Sequence, residues 1–137
     1  MNFTKKQIKE MIEYWKDTAD NDWKTAQSLW RSKRYDACLF YCHLVLEKLL
    51  KGLIVQKTNE IPLHTHDLAE LIKKANINIK KEEIKELVVF TSFNIRCRYP
   101  KDKLAFYKLC TREFSEPYFK QAKKLVLWLE KFYQTNR

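Results

Sequence analysis

The chain has 137 residues, of which 45% are hydrophobic, 14% aromatic and one is glycine; these amounts suit a single helical domain with a real core and argue against a turn-rich β fold. Its net charge of +10 is uneven, with eleven Lys and Arg against four Asp and Glu over residues 96–137, a field that favours RNA or nucleotide phosphates unless it is only a lysine-rich solvated surface. Lacking any run of about 18 uncharged apolar residues, and with a first segment MNFTKKQIKE unlike a signal peptide, the chain reads as cytoplasmic.

Thr4-Lys5-Lys6-Gln7 has the pattern of a capping box, in which the Thr hydroxyl takes an orphan N–H and Gln7 reaches back. Ile8, Ile12, Trp15, Ala19, Trp23, Ala26 and Trp30 then recur at steps of three and four, one face of a long first helix. Its tryptophans share that stripe and belong to the core or a dimer interface, not to a base-stacking array. The second helix is expected from near Tyr35 to near Lys57. On it Asp36, His43, Glu47 and Lys51 fall within a stripe of about 80° at about 100° per residue, and nearly everything else is apolar. A helix wet on so narrow a strip is the central element of a bundle, and the strip lines a groove or a partner surface. Gly52 lies on the apolar side with Cys38, Tyr41, Val45 and Leu49, where a missing side chain lets another helix approach closely.

Thr58 to Thr65, with Pro62, is the main break. Asp67-Leu68-Ala69-Glu70 reads as a second capping box, opening a short helix to about Ala75. A fourth helix runs from about Lys80 toward Arg98. Its LVVFTSF stretch has strand propensity, but Ile84, Leu87, Val88, Thr91 and Ile95 hold the helical spacing. Pro100 ends this helix at or just before Tyr99. Lys101 to Phe114 is expected as a basic, aromatic loop, and Ser115-Glu116-Pro117 as the start of the last helix. Ala122, Leu125, Val126, Leu129 and Phe132 form its inward face. The whole is an all-α, up-and-down bundle of four principal helices plus a short helix, one domain over residues 1–137.

Three stretches resemble, in order and spacing, the HEPN family (higher eukaryotes and prokaryotes nucleotide-binding domain) in its small stand-alone prokaryotic form. They are A-x5-H-x3-EK-x2-KG from Ala37 to Gly52, His64-Thr65-His66-Asp67-Leu68, and Arg98-Tyr99-Pro100. The resemblance implies an all-helical fold, dimerisation with the functional groove between two copies, and a link to nucleotides or RNA. It also implies a minimal nucleotidyltransferase as protein partner, as in toxin–antitoxin pairs. Active members of the family are metal-independent ribonucleases, marked by an arginine followed four to six residues later by a histidine. Arg96 and Arg98 fit the arginine's place, but the last histidine of the chain is His66. Cleavage by the family mechanism is therefore not expected, and no catalytic residue is assigned.

What remains is a phosphate-binding surface: Arg96 and Arg98 as planar forks, Tyr99 as a ring for a base, and Lys51, His43 and Glu47 as further candidates. Plainer readings stand beside it. One arginine could pair with Glu47 or Asp36 while Tyr99 packs on Pro100. Glu47 and Lys51 could be a simple i, i+4 pair, with His43 hydrogen-bonded at a helix interface. His64 and His66 would then belong to a structural loop and cap rather than to a metal site. Cys38, Cys42, Cys97 and Cys110 lack a CxxC pair and read as buried thiols, so neither metal nor cofactor is expected. Aromatic residues on the first and last helices (Trp15, Trp30, Trp128, Tyr133) suggest an apolar patch and a homodimer. The expected function is a non-catalytic nucleotide- or RNA-binding module. The alternatives are a ribonuclease toxin using His43 or His66 for the missing histidine, and a structural module whose basic face meets an acidic protein.

Overall fold

The Thr4 capping box closes in both directions: Gln7 N–H donates to Thr4 Oγ1 at 3.1 Å and Thr4 N–H to Gln7 Oε1 at 2.8 Å. It opens helix α1 (Lys5–Arg31) in the computed structural model, which describes residues 2–134, Gln134 by its backbone alone. α1 ends in a Schellman turn. Lys33 takes φ 63°, and Arg34 N–H reaches Leu29 O at 2.8 Å, so a lysine holds a left-handed position where glycine is usual. That tight turn folds α2 (Tyr35–Thr58) back along α1.

α2 is the axis of the bundle, and α1, α3 (Leu68–Lys74), α4 (Lys81–Arg98) and α6 (Arg112–Gln134) all pack against it. Gly52 marks the closest approach. A Cβ there would overlap the Tyr133 hydroxyl and stand 3.1 Å from Trp15 Cβ, so α6 and α1 both converge on this point. The Tyr133 hydroxyl donates to Leu49 O at 2.5 Å. Tyr133 is therefore buried core, not surface for a dimer. Trp23 and Trp30 stack on Phe119 of the last helix, with centroids 5.7 and 4.6 Å apart, and so pack, partly buried, against the core, the first of the two places their spacing allowed.

After α2, Asn59 takes φ 58° and the chain crosses to α3 (Leu68–Lys74). Asp67 caps α3 through the N–H groups of Ala69 and Glu70, at 3.0 and 3.4 Å. The reciprocal half of a capping box does not form, because the Glu70 carboxylate takes the Thr65 hydroxyl instead. α4 (Lys81–Arg98) keeps LVVFTSF helical because Leu87, Phe90 and Phe93 share the buried face, while Val88 and Ile95 point outward.

Two expectations about the last third are corrected. Pro100 does not open a loop; it starts a further helix, α5 (Pro100–Leu109), with Tyr99 extended at φ −101°, ψ 125° as the cap shared with α4. Proline is a good first helical residue because its missing N–H would have had no partner there. α6 (Arg112–Gln134) begins three residues before Ser115, with Thr111 Oγ1 accepting from Phe114 N–H at 3.2 Å and Pro117 inside the helix. The described residues thus form an all-α bundle of four long helices and two short ones.

Candidate functional site

The helical spacing of His43, Glu47 and Lys51 puts them on one face of α2, but the expectation that this face is wet is overturned. The three residues are 0%, 5% and 7% exposed, covered by the segment before α3 and by Trp15. The His43 Nε2–H donates to the carbonyl of His66 at 2.8 Å, since a carbonyl can only accept. Its Nδ1 is then a buried lone pair without a hydrogen bond, 3.8 Å from Glu47 Oε1. That same oxygen accepts from His66 Nδ1–H at 2.8 Å, and Glu47 Oε2 takes the Lys51 ammonium at 3.0 Å. Lys51 also stands 5.5 Å from the centroid of the Trp15 ring. Burial lowers the pKa of His43 from its ordinary 6.5 and outweighs the opposing pull of the His66 carbonyl and of Glu47. Neutral His43 and the Glu47–Lys51 ion pair thus make one buried cluster. Lys51 and His43 are not available to a ligand in this state.

The second group lies where α4 passes into α5. Tyr99 is 54% exposed, and Arg98 is exposed with only a long 3.5 Å contact to Asn94 Oδ1. Arg96 is half-buried with its guanidinium 5.1 Å from the Phe106 centroid. Among the described residues neither arginine pairs with a carboxylate, so the partnership with Glu47 or Asp36 does not form. Asp36 instead sits beside Cys97, whose thiol faces its backbone carbonyl. Burial, with a smaller contribution from Asp36, pushes the Cys97 thiol up to about 11. Cys110 is pushed up to about 12 for the same leading reason, so both remain thiols and not nucleophiles at neutral pH.

Over residues 12–132, from α1 through α6, the family model of the HEPN domain matches this sequence. The chain belongs to the HEPN domain family. The crystal structure of TT1696 from Thermus thermophilus has the same fold, with a TM-score of 0.75 at 20% identity over 88% of this chain and 97% of that one. No curated protein matches.

In this HEPN domain the candidate residues fall into two groups, not one. Asp36 lies level with Cys97, so by helix rise His43 is about 10 Å and Lys51 about 22 Å further along α2 from the Arg96–Tyr99 cluster. His66, read from the sequence as a loop and cap residue or as a substitute ribonuclease histidine, is the residue that covers the α2 cluster. Its signal was its place immediately before the Asp67 cap, which fixes the backbone and turns the ring toward Glu47. Among the described residues no group of His, Cys, Asp or Glu is arranged to hold a metal ion, and no helix is long and apolar enough to cross a membrane.

Proposed function

We propose that this HEPN protein is a non-catalytic, cytoplasmic module that binds RNA or a nucleotide through Arg96, Arg98 and Tyr99. One observation carries the reading: among the described residues neither the Arg96 nor the Arg98 guanidinium has a carboxylate partner, and both lie within four residues of chain that also hold the exposed Tyr99 ring, in the most basic stretch of the sequence. Lys101, Lys103 and Lys108 of α5 extend the same positive field. Guanidinium forks suit phosphate oxygens, and a tyrosine face suits any base. The homodimer belongs to the same proposal, but on a different surface from that expected. Val88, Ile95, Tyr99, Leu104 and Tyr107 leave apolar area open on α4 and α5, with Leu104 and Tyr107 each 60% exposed. A pair joined there brings two arginine clusters together. The nucleotidyltransferase partner and the toxin–antitoxin role rest on the family resemblance alone.

Anisotropy titration of a short labelled RNA against salt tests the binding. Arg96→Ala/Arg98→Ala should weaken it and flatten the salt slope by about one to two. Identical titrations for wild type and variant would reduce the cluster to structure. Leu104→Glu should yield monomers by sedimentation if α5 joins the copies.

A second reading has its own observation. The Glu47–His66 pair fixes one ring nitrogen and leaves the His66 side chain 52% exposed, as a general base requires, whereas His43 is sealed off. Metal-independent RNA cleavage present in the wild type and lost in His66→Ala would establish a ribonuclease with a displaced histidine.

A further inference from the structure

We infer that this protein associates with a second copy of itself by laying the acidic outer face of α1 on the lysine face of α6, with Leu127 of one copy seated in the cleft beside Tyr14 of the other. The contact uses neither α4 nor α5 and is independent of RNA binding. From residue 117 to residue 131 the exposed side chains are Pro117, Lys120, Lys123, Lys124, Leu127 and Lys131. From residue 10 to residue 21 they are Glu10, Glu13, Tyr14, Asp17 and Asn21. One strip carries lysines and no acid; the other carries acids and no base. Leu127 and Tyr14 are both more than half exposed.

The two strips match in spacing. Leu127 has Lys123 one turn before it and Lys131 one turn after, while Tyr14 has Glu10 one turn before it and Asp17 three residues after. The cleft beside Tyr14, about 310 Å³, is lined by Phe3, Met11 and Tyr14 with Gln7 and Glu10, an apolar seat for a leucine. Neither strip satisfies its own charges. Lys16 with Asp20 on α1 and Arg112 with Glu116 on α6 show that these helices form i, i+4 pairs where opposite charges allow. Among the described residues the exposed lysines of α6 and the exposed acids of α1 are in no ion pair. Lys120 and Lys124, like Glu13 and Asp17, instead set like charges at i, i+4, which weakens a helix. A facing copy supplies the opposite charge to both strips. The α6 strip lacks an arginine fork and an exposed ring, the groups that suit RNA, and carries an aliphatic knob instead. Because the contact joins unlike patches, it is made twice in a two-fold pair or repeated head to tail.

Sedimentation velocity of the Leu104→Glu protein reads this contact apart from any pairing at α5. Its association constant should fall at least about tenfold between about 0.05 M and about 0.5 M salt, as screening of exposed charges requires. Lys120→Glu/Lys124→Glu and Glu13→Lys/Asp17→Lys, each added to that protein, should each lower it at least about tenfold at the lower salt. An equimolar mixture of the two should associate again, because every reversed strip then meets its opposite. Leu127→Ser should weaken association and keep its salt dependence. A Leu104→Glu protein that stays monomeric at about 0.1 mM and the lower salt would overturn the contact. So would association that survives both reversals, or a mixture no more associated than its parts. Should a reversal variant fail to fold, the other two measurements decide: association unchanged by salt and by Leu127→Ser also overturns it. Weaker RNA binding with unchanged association in Lys120→Glu/Lys124→Glu would give the α6 face to RNA and overturn it too.

Discussion

Gly52→Ala is the sharpest test of how this bundle is assembled, because propensity and packing pull in opposite directions. In an isolated helix the change stabilises by about 1 kcal/mol, since alanine restricts the unfolded chain and glycine does not. Here the added methyl overlaps the Tyr133 hydroxyl and comes within 3.1 Å of Trp15 Cβ and of the Tyr133 ring carbon that carries the hydroxyl. Tyr133 must shift, and its bond to Leu49 O is lost. Overpacking costs about 1–3 kcal/mol and the lost hydrogen bond about 1 kcal/mol, so the variant should be less stable by about 1–3 kcal/mol after the propensity gain. Tyr133→Phe alone should cost about 1 kcal/mol. In the double variant the overlapping oxygen is gone, so the alanine should cost clearly less than it does in the wild-type background. Urea unfolding of all four proteins measures this coupling. A Gly52→Ala protein at least as stable as wild type, or two effects that simply add, would refute the close approach of α6 to α2 at this residue.

Glu47→Ala leaves the Lys51 ammonium buried without its carboxylate and should cost about 3–5 kcal/mol in urea unfolding, with Glu47→Gln costing less because its amide oxygen still serves one of the two donors. His43 titrates at its lowered value in the folded protein and near 6.5 when unfolded, so the unfolded state takes up the proton first. Stability should be fully present above pH 6.5 and decline as pH falls below it, by at most about 1.4 kcal/mol per pH unit, with the decline absent in His43→Gln. Glu130, raised from 4.5 chiefly by burial, acts in the opposite sense at lower pH, so the measurement belongs between about pH 5.5 and 7. Lys33→Gly relieves a left-handed lysine in the α1–α2 turn and should leave stability level or raise it by up to about 1 kcal/mol in thermal melts, against the usual loss on introducing glycine.

The long elements were legible because each carries its own signal. The α1 stripe from Ile8 to Trp30, the nearly all-apolar α2 and the Thr4 box all specify helix without reference to the rest of the chain. Gly52 was legible as a contact for the same reason: a glycine in such a helix costs stability unless something needs the space. α5 was missed because Pro100 carries two meanings. It stops the helix before it and starts one after it, and only Phe106 inserting beside Phe93, with centroids 5.3 Å apart, decides for the second. The start of α6 slipped for a related reason. Thr111 caps it, while Pro117, the stronger signal on paper, sits in the helix with its missing N–H near the start.

The polar strip of α2 shows where periodicity ends as evidence. Spacing establishes that His43, Glu47 and Lys51 share a face; it carries no information about what lies over that face. The cover comes from His66, more than twenty residues from His43 and placed by an Asp67 cap that looks purely local. Such a strip lets a charge cluster be buried at low cost only when every charge is paired, and here Glu47 serves Lys51 and His66 at once. The one atom of the cluster left over is His43 Nδ1. Burial keeps that nitrogen from taking up a proton at neutral pH, so the cluster is closed with His43 neutral. Arg96 and Arg98 show the converse: their residue type pointed to phosphate, and what the fold adds is that no carboxylate among the described residues pairs with them.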